Sequence, residues 1–466
     1  MKIKSSVVVL NLIINALFIS LSEANQTSLS TYQTKPNIVL FFVDDLGWSD
    51  LGYRNNTFDT PNIDKLAQQG MDFTSAYIPT PTCSPSRSAL LTGKHPARLK
   101  MTRHIPNSPK FGFDIYGRSD EPSHLWPTDP AKFPSVNWLK LDYLTYAEVL
   151  QKHGYYNHFI GKWHLGDERY HPVKQGFHSQ YGTSNWGHPK SYYSPFFKHS
   201  EVLADKKDHY LTEVLTDNAV EFIEQYKDKQ PFLLNLWYYT VHGPFVGKQA
   251  YLQHYLDKGL DPPYANYAAM VKSMDDSVGR VRHALQAQNM DKNTIIIFLS
   301  DQGGAFVNKP FHGGKKYDTL YEGGGRVPFI VYWPEHMKKG VKNDSPVQSL
   351  DLFPTILDIV GEPKAANNTL DGVSLIDVLK ENRQLVRKTP LFGYRAYEDL
   401  YLSVREGNWK LLAYRSGEKR LFNLANDIQE SINLASKYPD IVENLVKKAK
   451  VWEKEMGVEA YSGLDK

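Results

Sequence analysis

The chain contains a single cysteine, Cys83, and it lies in the run PTCSPSRSALLTG (81–93). Ser84 can cap a helix and Pro85 suits a first turn, so SRSALLTG is expected to continue as a short helix. Cys83 and Arg87 stand four residues apart, which points both toward one region if the first turn is helical. A helix N-terminus offers free N–H groups and the positive end of a dipole, and Arg87 adds a guanidinium. Such a place suits a tetrahedral oxyanion beside a nucleophile. From residue types alone the chemistry is a cysteine nucleophile in phosphoryl or sulfuryl transfer, against the alternative of a buried thiol beside an unrelated arginine.

A second group is acidic. Asp44, Asp45 and Asp301, with the Gln302 amide, are all oxygen donors. Crowded carboxylates repel unless a cation neutralises them, and hard cations such as Ca²⁺ and Mg²⁺ prefer such ligands. No Cys/His cluster has zinc spacing. Turn and cap chemistry is the competing explanation for an isolated Asp-Asp pair. A third group is basic: Lys162, His164 and His242.

The elements that must position these residues are short apolar runs. NIVLFFV (37–43) precedes Asp44-Asp45, and NHFIGKWHLG carries Lys162 and His164. PFLLNLWYYT (231–240) runs into His242, and NTIIIFLS (293–300) into Asp301-Gln302. A fifth run, FIVYWP (329–334), follows Arg326-Val-Pro. Helix-like stretches alternate with them: Thr60 to Gly70, Tyr146 to Gly154, Leu211 to Asp228, and Tyr264 to about Met290 with Met270, Met274, Val278 and Val281 as a core stripe. This alternation predicts an α/β fold. Ligands of open α/β sheets bind at the carboxyl ends of the strands, where these polar residues stand.

Two irregular stretches, 103–143 and 182–199, are long for connectors and rich in aromatics, which suggests functional loops. Their histidines, His104, His124, His188 and His199, are surface or structural residues unless they touch substrate. Trp126, Trp138, Trp186, Tyr192, Tyr193 and Phe196 either stack on a bound ligand or hold the loops down. His104, Trp186 and His188 are the substrate-binding candidates. After about residue 384, TPLFGYRAY, LYLSVREGNWKLLAYR and KRLFNLAND read as antiparallel strands, and Ile432 to Met456 as a helix. The expected division is a leader at 1–24, a catalytic α/β domain at 25–384, and a C-terminal α+β subdomain at 385–466.

The leader reading rests on Lys2 and Lys4, the apolar stretch Val7 to Leu21, and small residues at Ser22 and Ala24. That stretch is short for a membrane span, so a secretory signal peptide is expected, with a retained anchor as the alternative. No other segment is apolar enough to cross a bilayer, so no span is expected in the mature chain. Lys and Arg number 54 against 51 Asp and Glu, and the net charge of +3 gives no case for a nucleic-acid partner. One cysteine excludes an internal disulfide framework.

Cys83-Ser84-Pro85-Ser86-Arg87 followed by Leu91-Thr92-Gly93 resembles the C-x-P-x-R…LTG signature of type I sulfatases. NIVLFFVDDLGWSDLGY, GKWHLG, VHGPF, SDQGG and YEGGGRVPF follow in the family's order, so the resemblance covers nearly the whole chain from Pro36. It implies an alkaline-phosphatase-like mixed sheet flanked by helices, with a small C-terminal antiparallel sheet and helix. It also implies that Cys83 is oxidised to Cα-formylglycine (3-oxoalanine) by a formylglycine-generating, sulfatase-maturating enzyme. The aldehyde hydrate is then the nucleophile: one hydroxyl attacks sulfur and the second drives elimination of sulfate. By the same resemblance Asp44, Asp45, Asp301, Gln302 and modified Cys83 hold Ca²⁺. Arg87 and Lys162 stabilise the diol and sulfate, His164 takes the second diol proton, and His242 touches the sulfate or protonates the leaving oxygen. The family has a lysine before its YEGG; Lys315 and Lys316 both qualify here, and Lys316 is preferred. Gln302 stands where asparagine is more usual.

The implied activity is that of an exported, calcium-dependent sulfatase, periplasmic or secreted, resembling bacterial carbohydrate sulfatases. Its expected substrate is a sulfated oligo- or polysaccharide such as ulvan or fucoidan, with glycosaminoglycan as an alternative. A phosphonate or phosphodiester hydrolase of the same superfamily and an inactive sulfated-glycan binder remain the other readings.

Overall fold

NIVLFFV has no alternation of polar and apolar residues because both its faces are covered. Strand β1 (Asn37–Val43) is buried along its whole length, as expected of a central strand in a largely parallel sheet. The computed structural model describes residues 35–226, 230–363 and 368–466, so the leader expected at 1–24 lies outside the described residues.

The other strands of the main sheet are, in chain order, β2 (Met71–Phe73), β3 (Tyr156–Gly161), β4 (Ser179–Tyr181), β5 (Phe232–Trp237), β6 (Thr294–Ser300), β7 (Phe329–Tyr332) and β8 (Val341–Asn343). Their spatial order is β8-β2-β7-β6-β1-β5-β3-β4. From β6 through β4 all neighbours are parallel. Strand β7 runs antiparallel to β6 and β2, which makes the sheet mixed, as expected. The register decides where the polar residues meet. Val43 pairs with Ser300, Phe42 with Trp237, and Gly161 with Trp237. Four adjacent strands therefore end at one edge, and Asp44, Asp301, Lys162 and His242 leave it together.

Helices cover the sheet: α1 (Pro61–Gln69), α2 (Cys83–Thr92), α3 (Tyr146–Lys152), α4 (Leu211–Gln225) and α5 (Pro262–Ala287). A reciprocal capping box between Thr145 and Glu148 starts α3. Helix α5 starts with proline in its first turn and buries Met270, Met274, Val278 and Val281 completely, the stripe read from the sequence. Helix α2 is buried at every residue and ends at Gly93, whose φ of 65° suits glycine. It begins two residues earlier than expected, with Thr82 and not Ser84 at the cap position. The Ser84 hydroxyl instead accepts the Ile105 N–H at 3.1 Å.

The C-terminal sheet is antiparallel in chain order: β9 (Leu391–Tyr394), β10 (Leu400–Glu406), β11 (Trp409–Tyr414) and β12 (Lys419–Asn423). Neighbours on β11 alternate between two cores. Leu411 joins a cluster with helix α6 (Pro439–Met456), Ala97 and Phe133, while Leu412 joins Leu320 and Tyr321. By its contacts Asn37–Lys466 is one unit, so this sheet shares its cores with residues from earlier in the chain. Helix α6 starts at Pro439 and not at Ile432. Proline cannot donate to a preceding turn but fits the first turn of a helix, and Asn433 Oδ1 holds the Leu421 and Ala435 amides in a turn. Among the described residues no helix is long and apolar enough to cross a membrane.

Candidate active site

Cys83 opens α2 at the floor of a cavity of about 650 Å³. Its Sγ lies 3.7 Å from Asp44 Oδ1 and accepts from Gln302 Nε2 at 3.2 Å. The same amide nitrogen donates to Asp45 Oδ1 at 2.7 Å. Asp301 Oδ1 accepts the Asp45 N–H at 3.1 Å, and its other oxygen takes Arg87 Nη2 at 2.8 Å. Arg87 is fully buried and also donates to the Lys162 carbonyl at 2.9 Å. Lys162 Nζ bonds Asp44, and Lys315 Nζ bonds Asp45. Three carboxylates thus face three cations around one sulfur, with Asp44, Asp45 and Asp301 all at 0% exposure. Burial pushes the Cys83 thiol up to about 12, Lys162 opposes this, and the three carboxylates add to it. Burial and the neighbouring Asp44 raise Asp301 to about 6. Burial also raises Asp45, against the pull of Lys315.

The two histidines differ in what their rings offer. His164 Nε2 lies 2.8 Å from the Ile105 carbonyl, so that nitrogen carries the proton. Nδ1 is then the acceptor, and it is buried with no partner among the described residues. Burial and Lys162 hold the ring well below its usual pKa, which keeps it neutral. A buried, unpaired, neutral imidazole nitrogen is the state a general base requires. Because Ser84 holds the Ile105 N–H, helix α2 fixes both the cysteine and the carbonyl that selects the His164 tautomer. His242 Nδ1 meets its own neighbour's carbonyl, Gly243 O, at 2.6 Å, which turns Nε2 toward Asp45 Oδ2 at 3.8 Å. Burial, Lys315 and Lys162 lower its pKa well below the usual value.

Asp45 and His164 both have positive φ, 62° and 55°. Left-handed backbone costs a non-glycine residue on the order of 1 kcal/mol, and such costs gather at functional sites. Here the strain aims both side chains into the cluster.

The structure brings Cys83, Arg87, Lys162, His164, His242, Asp44, Asp45, Asp301 and Gln302 together. The expected lysine is corrected: Lys315 lines the cavity and Lys316 is exposed away from it. The Lys315 N–H donates to Gly304 O at 3.1 Å, and Gly314 N–H to Tyr317 O at 3.0 Å, a turn that points the first lysine inward. His104, Trp186 and His188 all line the cavity. The His188 ring stacks on His242 at 5.5 Å, and burial lowers the pKa of His104 to about 3. The remaining loop aromatics serve packing: Trp138 stacks on Tyr170, and Tyr192 and Phe196 are buried. His124 is buried against Asn137 at 2.6 Å and does not line the cavity.

Residue types and spacing gave no sign of several lining residues. Arg395 and Tyr397 come from the turn after β9, and Arg103, Lys190 and Lys198 from the two irregular loops. An arginine and a tyrosine between two strand patterns, RAYED, were the available signal. Nothing in the sequence marks Gly187 either, yet a β-carbon there would lie 2.4 Å from His164 Cε1.

Residues 36–362 match the family described as Sulfatase, and residues 312–455 match N-sulphoglucosamine sulphohydrolase, C-terminal. The chain belongs to the sulfatase family. Mouse (Mus musculus) N-acetylgalactosamine-6-sulfatase is 31% identical over 404 residues, covering 80% of this chain and 71% of that protein. A sulfatase of Formosa agariphila is 29% identical and covers 97% and 94%. The crystal structure of Ps i-CgsB in complex with k-i-k-neocarrahexaose superposes with a TM-score of 0.78 at 28% identity, covering 92% of this chain and 94% of that one. This sulfatase is thus a sulfuric ester hydrolase with the mixed sheet and C-terminal antiparallel sheet of its fold. Its acidic cluster also fits a hard cation. Ligand atoms of Asp44, Cys83 and Asp301 lie within 4.8 Å of one another, as do those of Asp45, Cys83 and His242. The Gln302 amide reaches the same point, and turning it over exchanges its nitrogen for an oxygen donor.

Proposed function

We propose that this sulfatase hydrolyses sulfate esters of a sulfated saccharide, with Ca²⁺ in the acidic cluster and Cys83 working as formylglycine. The observation that carries this reading is the position of Cys83, at a helix start on the cavity floor, in contact with Asp44 and Gln302 and close to Arg87. Asp44, Asp45, Asp301, Gln302 and modified Cys83 would hold the cation, which supplies positive charge against the sulfate oxygens when bound. An aldehyde hydrate at Cys83 supplies two hydroxyls on one carbon, one to attack sulfur and one to expel sulfate. A thiol or a serine has only one such group.

The chain's own side chains do the rest. Arg87, Lys162 and Lys315 stand where negative charge builds on sulfur's oxygens, already oriented by their carboxylates. His164 accepts a proton at Nδ1, the nitrogen left free by its bond to Ile105. His242 presents Nε2 on the cavity side; an anionic ester raises its proton affinity, so that Nε2 takes a proton from solvent as substrate binds and gives that proton to the leaving alcohol oxygen. Export to the periplasm or beyond, by the leader at 1–24, belongs to the same proposal, as does action on algal or other sulfated polysaccharide. The relatives named for a sulfated aminosugar and crystallised with a carrageenan-type hexaose support the saccharide class.

The test is turnover of matched sulfate esters and phosphodiesters by one preparation, read as released sulfate or phosphate. Sulfate release from saccharide esters, faster than any phosphodiester cleavage, is expected. Preferential phosphodiester cleavage would overturn the proposal.

A further inference from the structure

Among the described residues, five cationic side chains line the cavity, Arg103, Lys190, Lys198, Lys315 and Arg395, and no carboxylate does. The whole chain carries only +3, so this is a local concentration. Lys315 is paired with Asp45 at the sulfate end. The other four stand outside the Cys83 cluster. A sulfate monoester has one negative charge, and Arg87, Lys162 and Lys315 already face it. Four more cations stand beyond that ester, Arg103 and Arg395 paired with Asp129 and Glu398 and the two lysines without an ion pair among the described residues.

Two of the four are built in. The guanidinium carbons of Arg103 and Arg395 lie 4.0 and 4.4 Å from the centroid of the Tyr397 ring, and Arg103 also lies 3.9 Å from that of Trp126. Arg103 Nη1 is held by Asp129 at 2.5 Å; Arg395 Nη1 is held by the Pro81 carbonyl at 2.9 Å, and its Nε lies 3.0 Å from Glu398 Oε1. Their side chains are 13% and 9% exposed. Neither Nη2 donates a hydrogen bond among the described residues, and neither is among the buried unpaired atoms, so both are open to a ligand. The Tyr397 hydroxyl meets Thr82 Oγ1 at 2.7 Å, which ties the pair to the residue before Cys83. Lys190 and Lys198 are exposed on the 182–199 loop and form no ion pair among the described residues.

We infer that Arg103 and Arg395 form a second anion subsite, and that the preferred saccharide carries another sulfate or a carboxylate beyond the ester that is cleaved. Planar, pre-oriented guanidiniums suit bidentate recognition of either group. The two exposed lysines add long-range attraction to such a polyanion. This inference rests on the sulfatase reading of the Cys83 site.

The experiment compares three disaccharides with the same scissile sulfate: one with no second charge, one with a second sulfate, one with a uronic carboxylate. Binding is measured by calorimetry on Cys83→Ala, and turnover on the active enzyme. The dianionic sugars should bind about 10-fold tighter or more, a difference of about 1.4 kcal/mol. The two dianionic arms rank sulfate against carboxylate. Arg103→Gln should raise KM for the dianionic sugars several-fold more than for the singly charged sugar, with any change in kcat the same for all three. The Lys190→Ala/Lys198→Ala double variant, on exposed positions, should flatten the salt dependence of kcat/KM for the dianionic sugars alone. Equal binding of all three sugars, or equal losses on all three in the variants, overturns the inference. Tighter dianion binding without any sulfate release would sink the sulfatase reading and leave the subsite standing.

Discussion

Gly187→Ala should disable the base without touching it. A β-carbon at Gly187 would stand 2.4 Å from Cε1, 2.5 Å from Nε2 and 2.8 Å from Nδ1 of His164. Comfortable contact begins near 3.5 Å, so the imidazole must retreat by roughly 1 Å. It cannot do so freely, because Nε2 is bonded to the Ile105 carbonyl and the residue's φ of 55° fixes where the side chain leaves the backbone. A displacement of ~1 Å in a reacting group costs on the order of 10²-fold in rate, or about 2.7 kcal/mol of barrier. The assay is sulfate release by Gly187→Ala, with Gly325→Ala as control, since a β-carbon at Gly325 meets nothing within 4 Å. The expected result is a kcat lower by about 10²-fold, a KM within a few-fold, and a melting temperature close to the parent. A Gly187→Ala enzyme that is folded and keeps full kcat would falsify the role given to the Nδ1 atom of His164.

Three other outcomes follow from the same structure. Lys410 bonds Glu322 at 2.9 Å and Glu430 at 2.8 Å, all three buried, so Lys410→Met should cost about 3–5 kcal/mol in denaturant unfolding. Glu430, whose carboxyl burial raises to about 7, should recover part of that loss when it is also made Gln. Burial holds His95 down at about 4, below its unfolded value, so the unfolded chain binds the extra proton first and stability falls as pH drops from about 6.5 to 4. That term is about 3 kcal/mol, and His95→Gln should make the acid limb of the stability curve shallower. Dialysis against a chelator should remove activity and lower the melting temperature, and Ca²⁺ should restore both in a concentration-dependent way. A melting temperature indifferent to chelation and to Ca²⁺ would count against the cation.

Much of the site could be read because the sheet turns sequence order into proximity. Each of four buried runs ends in a chemical residue, and their parallel register brings those residues to one edge. The glycines of SDQGG and YEGGGR have a related cause: Gly303 donates to Gly324 O at 3.0 Å, and a β-carbon on it would lie 2.1 Å from Gly323 O. What could not be read depends on turns and on tertiary contact. Lys315 and Lys316 are chemically identical, and only the turn around Gly314 separates them. Ser84 looked like a cap by type, yet its hydroxyl is used by a loop 21 residues away in sequence. Arg395 lies 314 residues from Pro81, the carbonyl that holds it, so no local pattern could assign it to the cavity. The start of α6 is not legible locally, because the apolar residues from Ile432 continue a helical pattern across Pro439, where the backbone cannot follow.

The central claim is that Cys83 works as an aldehyde and not as a thiol. The direct measurement is the mass of the peptide holding Cys83, taken together with kcat on the same samples from hosts that do and do not carry the maturating enzyme. Conversion to formylglycine makes the peptide lighter by about 18 Da. The account predicts that kcat rises in proportion to the lighter fraction and vanishes when that fraction is zero. Full sulfate release from protein whose Cys83 peptide is entirely unmodified would contradict it.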